Sequence, residues 1–327
     1  MVTSRAGGTR ITRAEHDAGI ARLPLVSLPD LHAAAVLVLG YLGASLLPRA
    51  CDARIAGALA ALWLRVHPGA VQRLAAAIQA RLGDRAGRGR ELEAIAREHF
   101  RTRVETGWGR IRGMRRGGWT PAVALEGREH VARGLAGGRG VILWRFALGS
   151  GPALMHAFAD AGWRPVHLSR AEHGSRRLSR FGLRTVCSMW QVAENRWLCE
   201  RIVIPTDASL GYVRVLADRL QANAVVSIAG EHGGRGALDV TVLGSSRKLA
   251  TGAAALAWET GATLVTCCSL REAPQRYRVV VDPPIELERG AGRREAVRCA
   301  VEEYARRLEA RIREHPADWR GWGTRLI

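Results

Sequence analysis

From residue 119 onward the chain alternates short apolar runs with amphipathic stretches. No other feature narrows its possible folds as much. VILWRF (141–146), RPVHLS (164–169), RIVIPT (201–206), AVVSIAG (224–230), ATLVTCCSL (262–270) and YRVVVDPPIEL (277–287) read as strands. GPALMHAFADAG (151–162), SLGYVRVLADRLQAN (209–223) and ATGAAALAWETG (250–261) read as helices. REAVRCAVEEYARRLEARIREHP (294–316) reads as a long last helix stopped by Pro316. Strands alternating with helices imply an α/β sheet, and its buried strands are near-continuous apolar runs. The expected fold class is α/β, a sheet flanked by helices over residues 119–327.

Ahead of the sheet, residues 23–118 read as a helical region, with helices over 53–82 and 88–116. Residues 1–22 are polar and without period, a loose tail. LHAAAVLVLGYLGASLL (31–47) carries no Arg, Lys, Asp or Glu. Its 17 residues stand at the lower edge of a membrane span. Two readings stay open for it, a core helix and a helix embedded in or resting on a bilayer, with Arg22 and Arg49 as interfacial flanks. In FRTRVETGWGRIRGMRRGGW (100–119), arginines alternate with Trp108 and Trp119, which suits either solvated helix faces or contact with an anionic surface.

The formal net charge is +19, and Lys248 is the only lysine. Arginine in place of lysine, with abundant Ala and Gly, points to GC-rich coding, but it does not explain why acids are so outnumbered. Such a surface attracts phospholipid headgroups, nucleic acid or an acidic protein. Nucleic-acid binding would rest on charge alone, because no helix-turn-helix, zinc-finger or RRM pattern is present. The six cysteines (Cys51, Cys187, Cys199, Cys267, Cys268 and Cys299) form no CxxC pair and no zinc-ligand spacing. Reduced thiols, a cytosolic face and no metal are expected. No signal-peptide pattern is found. GLAGGRG (134–140) precedes its strand, the wrong order for a dinucleotide fingerprint, and reads as a loop.

The chemistry is expected at the junction VILWRFALGSGPALMHAFADAG (141–162). Gly149-Ser150 can make the turn, with Ser150 as helix N-cap and Pro152 tolerated in the first turn. Several stretches in order carry a resemblance: EGREHVARGLAGGRGVILW before and through this strand, ALGSGPAL at the junction, VTVLGSSRKLATGAAALAWETGATLV, YRVVVDPPIE, and HPADWRGWGTR near the end. The chain resembles the lysophospholipid acyltransferase superfamily, most closely its bacterial lipid A (lauroyl/myristoyl) acyltransferase branch. The resemblance implies an acyltransferase-like sheet with a membrane-associated helical N-terminal portion at the cytoplasmic face of a bacterial inner membrane, peripheral or anchored by one helix. It implies transfer of a fatty acyl chain from acyl carrier protein or coenzyme A to a hydroxyl of a glycolipid or lysophospholipid. No cofactor is implied beyond the acyl donor. Acyl carrier protein and anionic membrane lipids are the implied partners, and nucleic acid is not.

The family's signature is a histidine and, five positions on, an Asp or Glu, a general base with its orienting carboxylate. Here the match sets Ala147 and Pro152 in those places, and neither can accept a proton. A general base contributes about 10²–10⁴-fold, so two readings follow: an enzyme using another base, or a non-catalytic relative that binds lipid or carrier protein. His232 and Glu231 follow the strand AVVSIAG and are the alternative base candidates there. His156, with Asp160 one helical turn on, is another. His167 and Glu172 in HLSRAE have the spacing by count but lie one strand late. Arg170, after RPVHLS, stands where the resemblance implies an arginine that fixes the acceptor's phosphate. Gly149 and Ser150 offer backbone N–H groups at a helix start, Arg145 lies just upstream, and Thr251-Gly252 opens a helix beside the same cleft.

Overall fold

The computed structural model describes residues 23–83, 88–115, 118–170, 179–204, 210–231 and 236–323. Nine strands are formed among them: β1 (Ala122–Glu126), β2 (Val141–Arg145), β3 (Val166–Arg170), β4 (Glu200–Ile204), β5 (Val225–Ala229), β6 (Leu238–Val242), β7 (Ser245–Leu249), β8 (Thr263–Ala273) and β9 (Arg276–Val281). Seven of them make one sheet in the order β1-β9-β8-β2-β5-β3-β4. β8, β2, β5, β3 and β4 run parallel, and β9, with β1 parallel to it, turns back antiparallel on β8. β6 and β7 form a separate antiparallel hairpin. The α/β expectation holds. Two features escaped the sequence reading: β1, whose AVALE is too short and mixed to stand out, and the hairpin, whose polar SSRKL strand lacks an apolar run.

The N-terminal region supplies α1 (Leu28–Leu46), α2 (Asp52–Val66), α3 (Gly69–Leu82) and α4 (Arg90–Gly113). One helix was expected over 53–82, but it breaks into α2 and α3 at His67-Pro68. Proline has no N–H and pushes the residue before it out of the helical region. His67 accordingly takes φ −125°, ψ 60°. The sheet is flanked by α5 (Arg128–Ala136), α6 (Gly151–Asp160), α7 (Ser188–Asn195), α8 (Gly211–Gln221), α9 (Gly252–Thr260) and α10 (Arg293–Glu314).

Side chains along β2 alternate between two cores, as a strand requires. Ile142 and Trp144 join Phe100 of α4, Leu256 of α9 and Val301, Tyr304 and Leu308 of α10. Val141 and Leu143 join Ala153, Leu154 and Phe158 of α6 with Trp119, Trp197 and Tyr277. A third cluster binds α1 and α2 to α4 through Leu37, Ala44, Ala56, Trp108 and Ile111. There Asp52 Oδ1 accepts from Trp108 Nε1 at 2.8 Å and from Arg112 Nε at 3.0 Å. Arg112 also donates to the Leu47 carbonyl at 3.1 Å and to that of Ala44, closing the carboxyl end of α1. Trp108 and Trp119 are therefore core residues, 4% and 2% exposed. They are not available to rest on an anionic surface.

α1 is long and apolar enough to cross a membrane by length and composition. It packs along α4, where Gly40 faces Ile111 so closely that a Cβ would lie 2.7 Å from Ile111 Cδ1. Its first turn is tied to the domain, because Asp30 Oδ2 accepts the Ser179 N–H at 2.6 Å. The outer face leaves Leu28, Leu31, Val38, Leu39, Leu42 and Leu46 exposed, continued on α2 by Leu59, Leu62 and Val66.

Candidate functional site at the carboxyl ends of the strands

In open α/β sheets ligands bind beyond the carboxyl ends of the strands. Here that edge is formed by Arg145-Phe146-Ala147-Leu148-Gly149-Ser150 after β2 and by Gly230-Glu231 after β5. The turn is set by its own residues and by a strap from the end of the chain. Gly149 takes φ +61°, and a Cβ there would lie 1.7 Å from the Ser269 carbonyl oxygen, so only glycine fits. Ser150, fully buried, accepts the Ala153 N–H at 3.3 Å and caps α6. The strap is residues 318–320. The Asp318 carbonyl accepts the Gly149 N–H at 2.8 Å, Trp319 pairs with Leu148 in a β-bridge, and Arg320 N–H donates to the Ala147 carbonyl at 2.9 Å.

Ala147 stands at the turn with its N–H donated to Glu231 Oε1 at 2.6 Å. The other carboxylate oxygen of Glu231 accepts from Trp319 Nε1 at 2.8 Å. Burial pushes the Glu231 carboxyl above the usual carboxylate range, and the two N–H donors and the charge of Arg247 oppose that rise. The residue as a whole is half-buried. Pro152 is buried in the first turn of α6.

The other sequence candidates separate. His156 and Asp160 do pair, Nδ1 to Oδ2 at 3.1 Å. The pair lies in the later turns of α6 with the imidazole 5.7 Å from the Trp197 ring, and burial holds the histidine below its ordinary pKa. His167 is buried within the sheet, Nδ1 at 3.4 Å from Ser227 Oγ. His232 and Glu172 lie outside the described residues. The Gly149 N–H is already held by the Asp318 carbonyl and is not open to a ligand, while Ser150 Oγ caps α6. Thr251 donates to the Gly236 carbonyl at 3.0 Å, and Gly252 opens to solvent beside it. The preceding Ala250 N–H reaches the Gly230 carbonyl at 3.4 Å, so this helix start borders the Glu231 turn. Arg170 ends β3 on the same face as Val166 and Leu168. All six cysteines are unpaired, and burial pushes the Cys268 thiol up to about 12. Among the described residues, no group of His, Cys, Asp or Glu is arranged to hold a metal ion.

The sequence reading noted Arg145 beside the cleft but did not join it to other arginines on the same face. Arg145 of β2 and Arg201 of β4 share the face of His167 and Ser169. Arg201 donates to Glu194 Oε2 at 3.1 Å and to Ser169 Oγ at 3.0 Å, and Arg110 of α4 reaches Glu194 Oε1 at 3.2 Å. Arg320, beside Ala147, is lowered to about 9 by burial and by its neighbours Arg110, Arg103 and Arg145. No local motif marks these residues. Only strand order and the return of the chain end bring them together.

The fold is mixed α/β, a parallel-rich sheet flanked by helices. Residues 189–323 match the model of the bacterial lipid A biosynthesis acyltransferase family. Among solved structures, the 1-acyl-sn-glycerophosphate (LPA) acyltransferase PlsC from Thermotoga maritima is 14% identical, with a TM-score of 0.38 over 82% of this chain and 99% of that one. No curated protein matches at a significant level.

Proposed function

We propose that the protein transfers a fatty acyl chain from acyl carrier protein or coenzyme A to a hydroxyl of a glycolipid or phospholipid, with Glu231 in the role of the absent histidine–carboxylate pair. One observation carries this reading: the half-buried Glu231 carboxylate binds the Ala147 N–H at the turn, where burial pushes its pKa upward. A base is most effective when its pKa approaches the working pH. The acceptor oxygen would attack the thioester carbonyl as its proton passes to Glu231. The tetrahedral intermediate would then expel the thiolate with cleavage of the C–S bond, and the thiolate would be protonated. The exposed apolar faces of α1 and α2 suit a bilayer surface, and the positive charge suits anionic lipids and an acidic carrier protein. The inner membrane's cytoplasmic face is the proposed location.

The test is mass spectrometry of total host lipids with and without the gene, followed by restoration with Glu231→Gln. Loss of one acyl chain from a defined lipid, restored by the native chain and not by the variant, is the expected result. A second reading, a non-catalytic lipid- or carrier-binding relative, is favoured by the N–H donors already on both Glu231 oxygens. It predicts an unchanged lipid profile, or full restoration by Glu231→Gln.

A further inference from the structure

A second cleft, of about 340 Å³, lies at the opposite edge of the sheet, where β8 begins. It is enclosed by α5, the end of α9, the first residues of β8 and the segment 284–289. Its floor is apolar, with Leu264 and Ile285 buried and Leu287 half-buried beside them. Its walls are fixed. The Ile285 N–H donates to the Leu264 carbonyl at 2.8 Å and the Asp282 N–H to that of Thr266 at 2.9 Å, so this segment is pinned along β8. Pro283 and Pro284, between the two bonds, restrict the backbone further. Gly261 closes α9 at φ +72°, with Arg139 laid so closely over it that a Cβ would stand 2.9 Å from Nη1. A preformed cleft of this volume is of the size that small molecules occupy.

The rim carries charge. Arg133 of α5 and Arg289 line it together with one carboxylate, Glu286. The Arg289 guanidinium lies 4.7 Å over the Trp258 ring, which holds it in place without cancelling its charge. Among the described residues, neither Arg133 nor Glu286 has an ion-pair partner. His130, half-buried on the same wall, has an Nδ1 with no hydrogen-bond partner. One positive charge is therefore in excess above an apolar floor, and that combination complements a monoanion with an apolar body. Guanidinium groups pair with carboxylate oxygens in fixed geometry. We propose that this cleft binds a small monocarboxylate with an apolar chain, its carboxylate at Arg133 and Arg289 and its chain on Leu264, Ile285 and Leu287. The site is separate from the Ala147 turn. β8 runs from Thr263 at the cleft to Ser269, whose carbonyl meets Gly149, and six residue steps of strand span about 20 Å. The carboxylate held here is not an acyl group reacting at that turn, so the proposal does not rest on the acyl-transfer reading.

The test is titration calorimetry and thermal unfolding of the full-length protein with octanoate. Octanamide, with the chain but no charge, and acetate, with the charge but no chain, are the comparisons. The native chain should bind octanoate saturably and melt higher with it, and should bind the other two about 10-fold or more weakly. Arg133→Gln and Arg289→Gln, at exposed positions, should melt like the native chain without ligand and bind octanoate about 10–100-fold more weakly. Arg54→Gln, at an exposed position of α2, should bind as the native chain does. A diazirine-bearing octanoate should label residues 128–136 or 284–289 in peptide mass spectrometry. No saturable binding, equal affinity for octanamide, or full affinity in both arginine variants overturns the proposal. So does binding that is lost in Leu42→Glu with Leu62→Glu and labels α1 or α2, because the chain then lies on the exposed helix face. If one arginine variant does not fold, the other and the labelled positions decide. Glu231→Gln should bind octanoate as the native chain does, so a failed lipid-profile test leaves this site standing, and a failed octanoate titration leaves the acyl-transfer reading standing.

Discussion

Trp319 provides a sharp test of the site's electrostatics. Its ring is fully buried, edge-on to Trp322 at 4.7 Å, with the Arg247 guanidinium 4.7 Å above it. Its Nε1–H is one of two donors holding Glu231. Trp319→Phe keeps an aromatic ring in the space and removes that donor. A hydrogen bond to a charged group contributes about 1.5–3 kcal/mol and one between neutral groups about 0.5–1.5. The variant should therefore cost roughly 1.5 kcal/mol more when Glu231 is ionised than when it carries its proton. The sign follows from linkage. Glu231 has a folded pKa above its unfolded value, so its contribution to stability is complete below the unfolded pKa and is lost as pH rises through the folded one. Removing a donor raises the folded pKa further, so the destabilisation by Trp319→Phe should grow as pH rises. Urea unfolding followed by far-ultraviolet circular dichroism from pH 5 to 9 measures it, in native and Glu231→Gln backgrounds. The growth with pH should vanish in the Glu231→Gln background. A constant cost across the range, equal in both backgrounds, would show that Trp319 acts by packing alone and refute the argument.

Gly149→Ala should destabilise the chain by about 3 kcal/mol or more in urea unfolding, because a left-handed φ is strained for alanine and its Cβ meets the Ser269 carbonyl; native-like stability would show that the turn relaxes freely. Burial, reinforced by Arg103, holds His99 down at about 4, so its contribution should be present above pH 6.5 and lost as pH falls through 4, and proton NMR titration of its ring should report that pKa. Burial raises Asp318 to about 7, so its contribution is complete below pH 4 and lost as pH rises through 7; Asp318→Asn should remove that decline from the pH–stability curve. Leu42→Glu with Leu62→Glu, at positions 51% and 59% exposed, should reduce sedimentation with vesicles several-fold while changing stability by less than about 1 kcal/mol; unchanged sedimentation would exclude this face as the membrane contact.

The central strands and most helices were legible because their patterns are local. A run such as VILWRF is buried on both faces, and GPALMHAFADAG carries its own cap at Ser150. The division of 53–82 at Pro68 was equally local, and helical composition on both sides masked it. β1 was not legible, because its place at the sheet edge depends on pairing with β9, far along the chain. Trp108 alternates with arginine in sequence, yet it turns inward to Asp52, a contact that requires α2 and α4 to be packed first.

The site shows the same division. Gly149-Ser150 was readable as a turn, and so was the fact that Ala147 and Pro152 within it cannot accept a proton. The contacts around that turn were not readable, because Trp319 and Arg320 reach it only when residues 318–320 cross Leu148. Alternation along β2 and β4 orients Arg145 and Arg201, but only the strand order sets both on one side and Arg170 on the other. A turn that had simply decayed would not need this support. Gly149 is forced by the Ser269 carbonyl, the helix start is capped, and the half-buried Glu231 carboxylate and a set of arginines border the turn. Tight glycine packing, a helix cap and closely placed opposite charges constrain far more residues than Ala147 and Pro152. That pattern fits a turn whose geometry is held from several sides, and the pH dependence of the Trp319→Phe cost is the property that would register it.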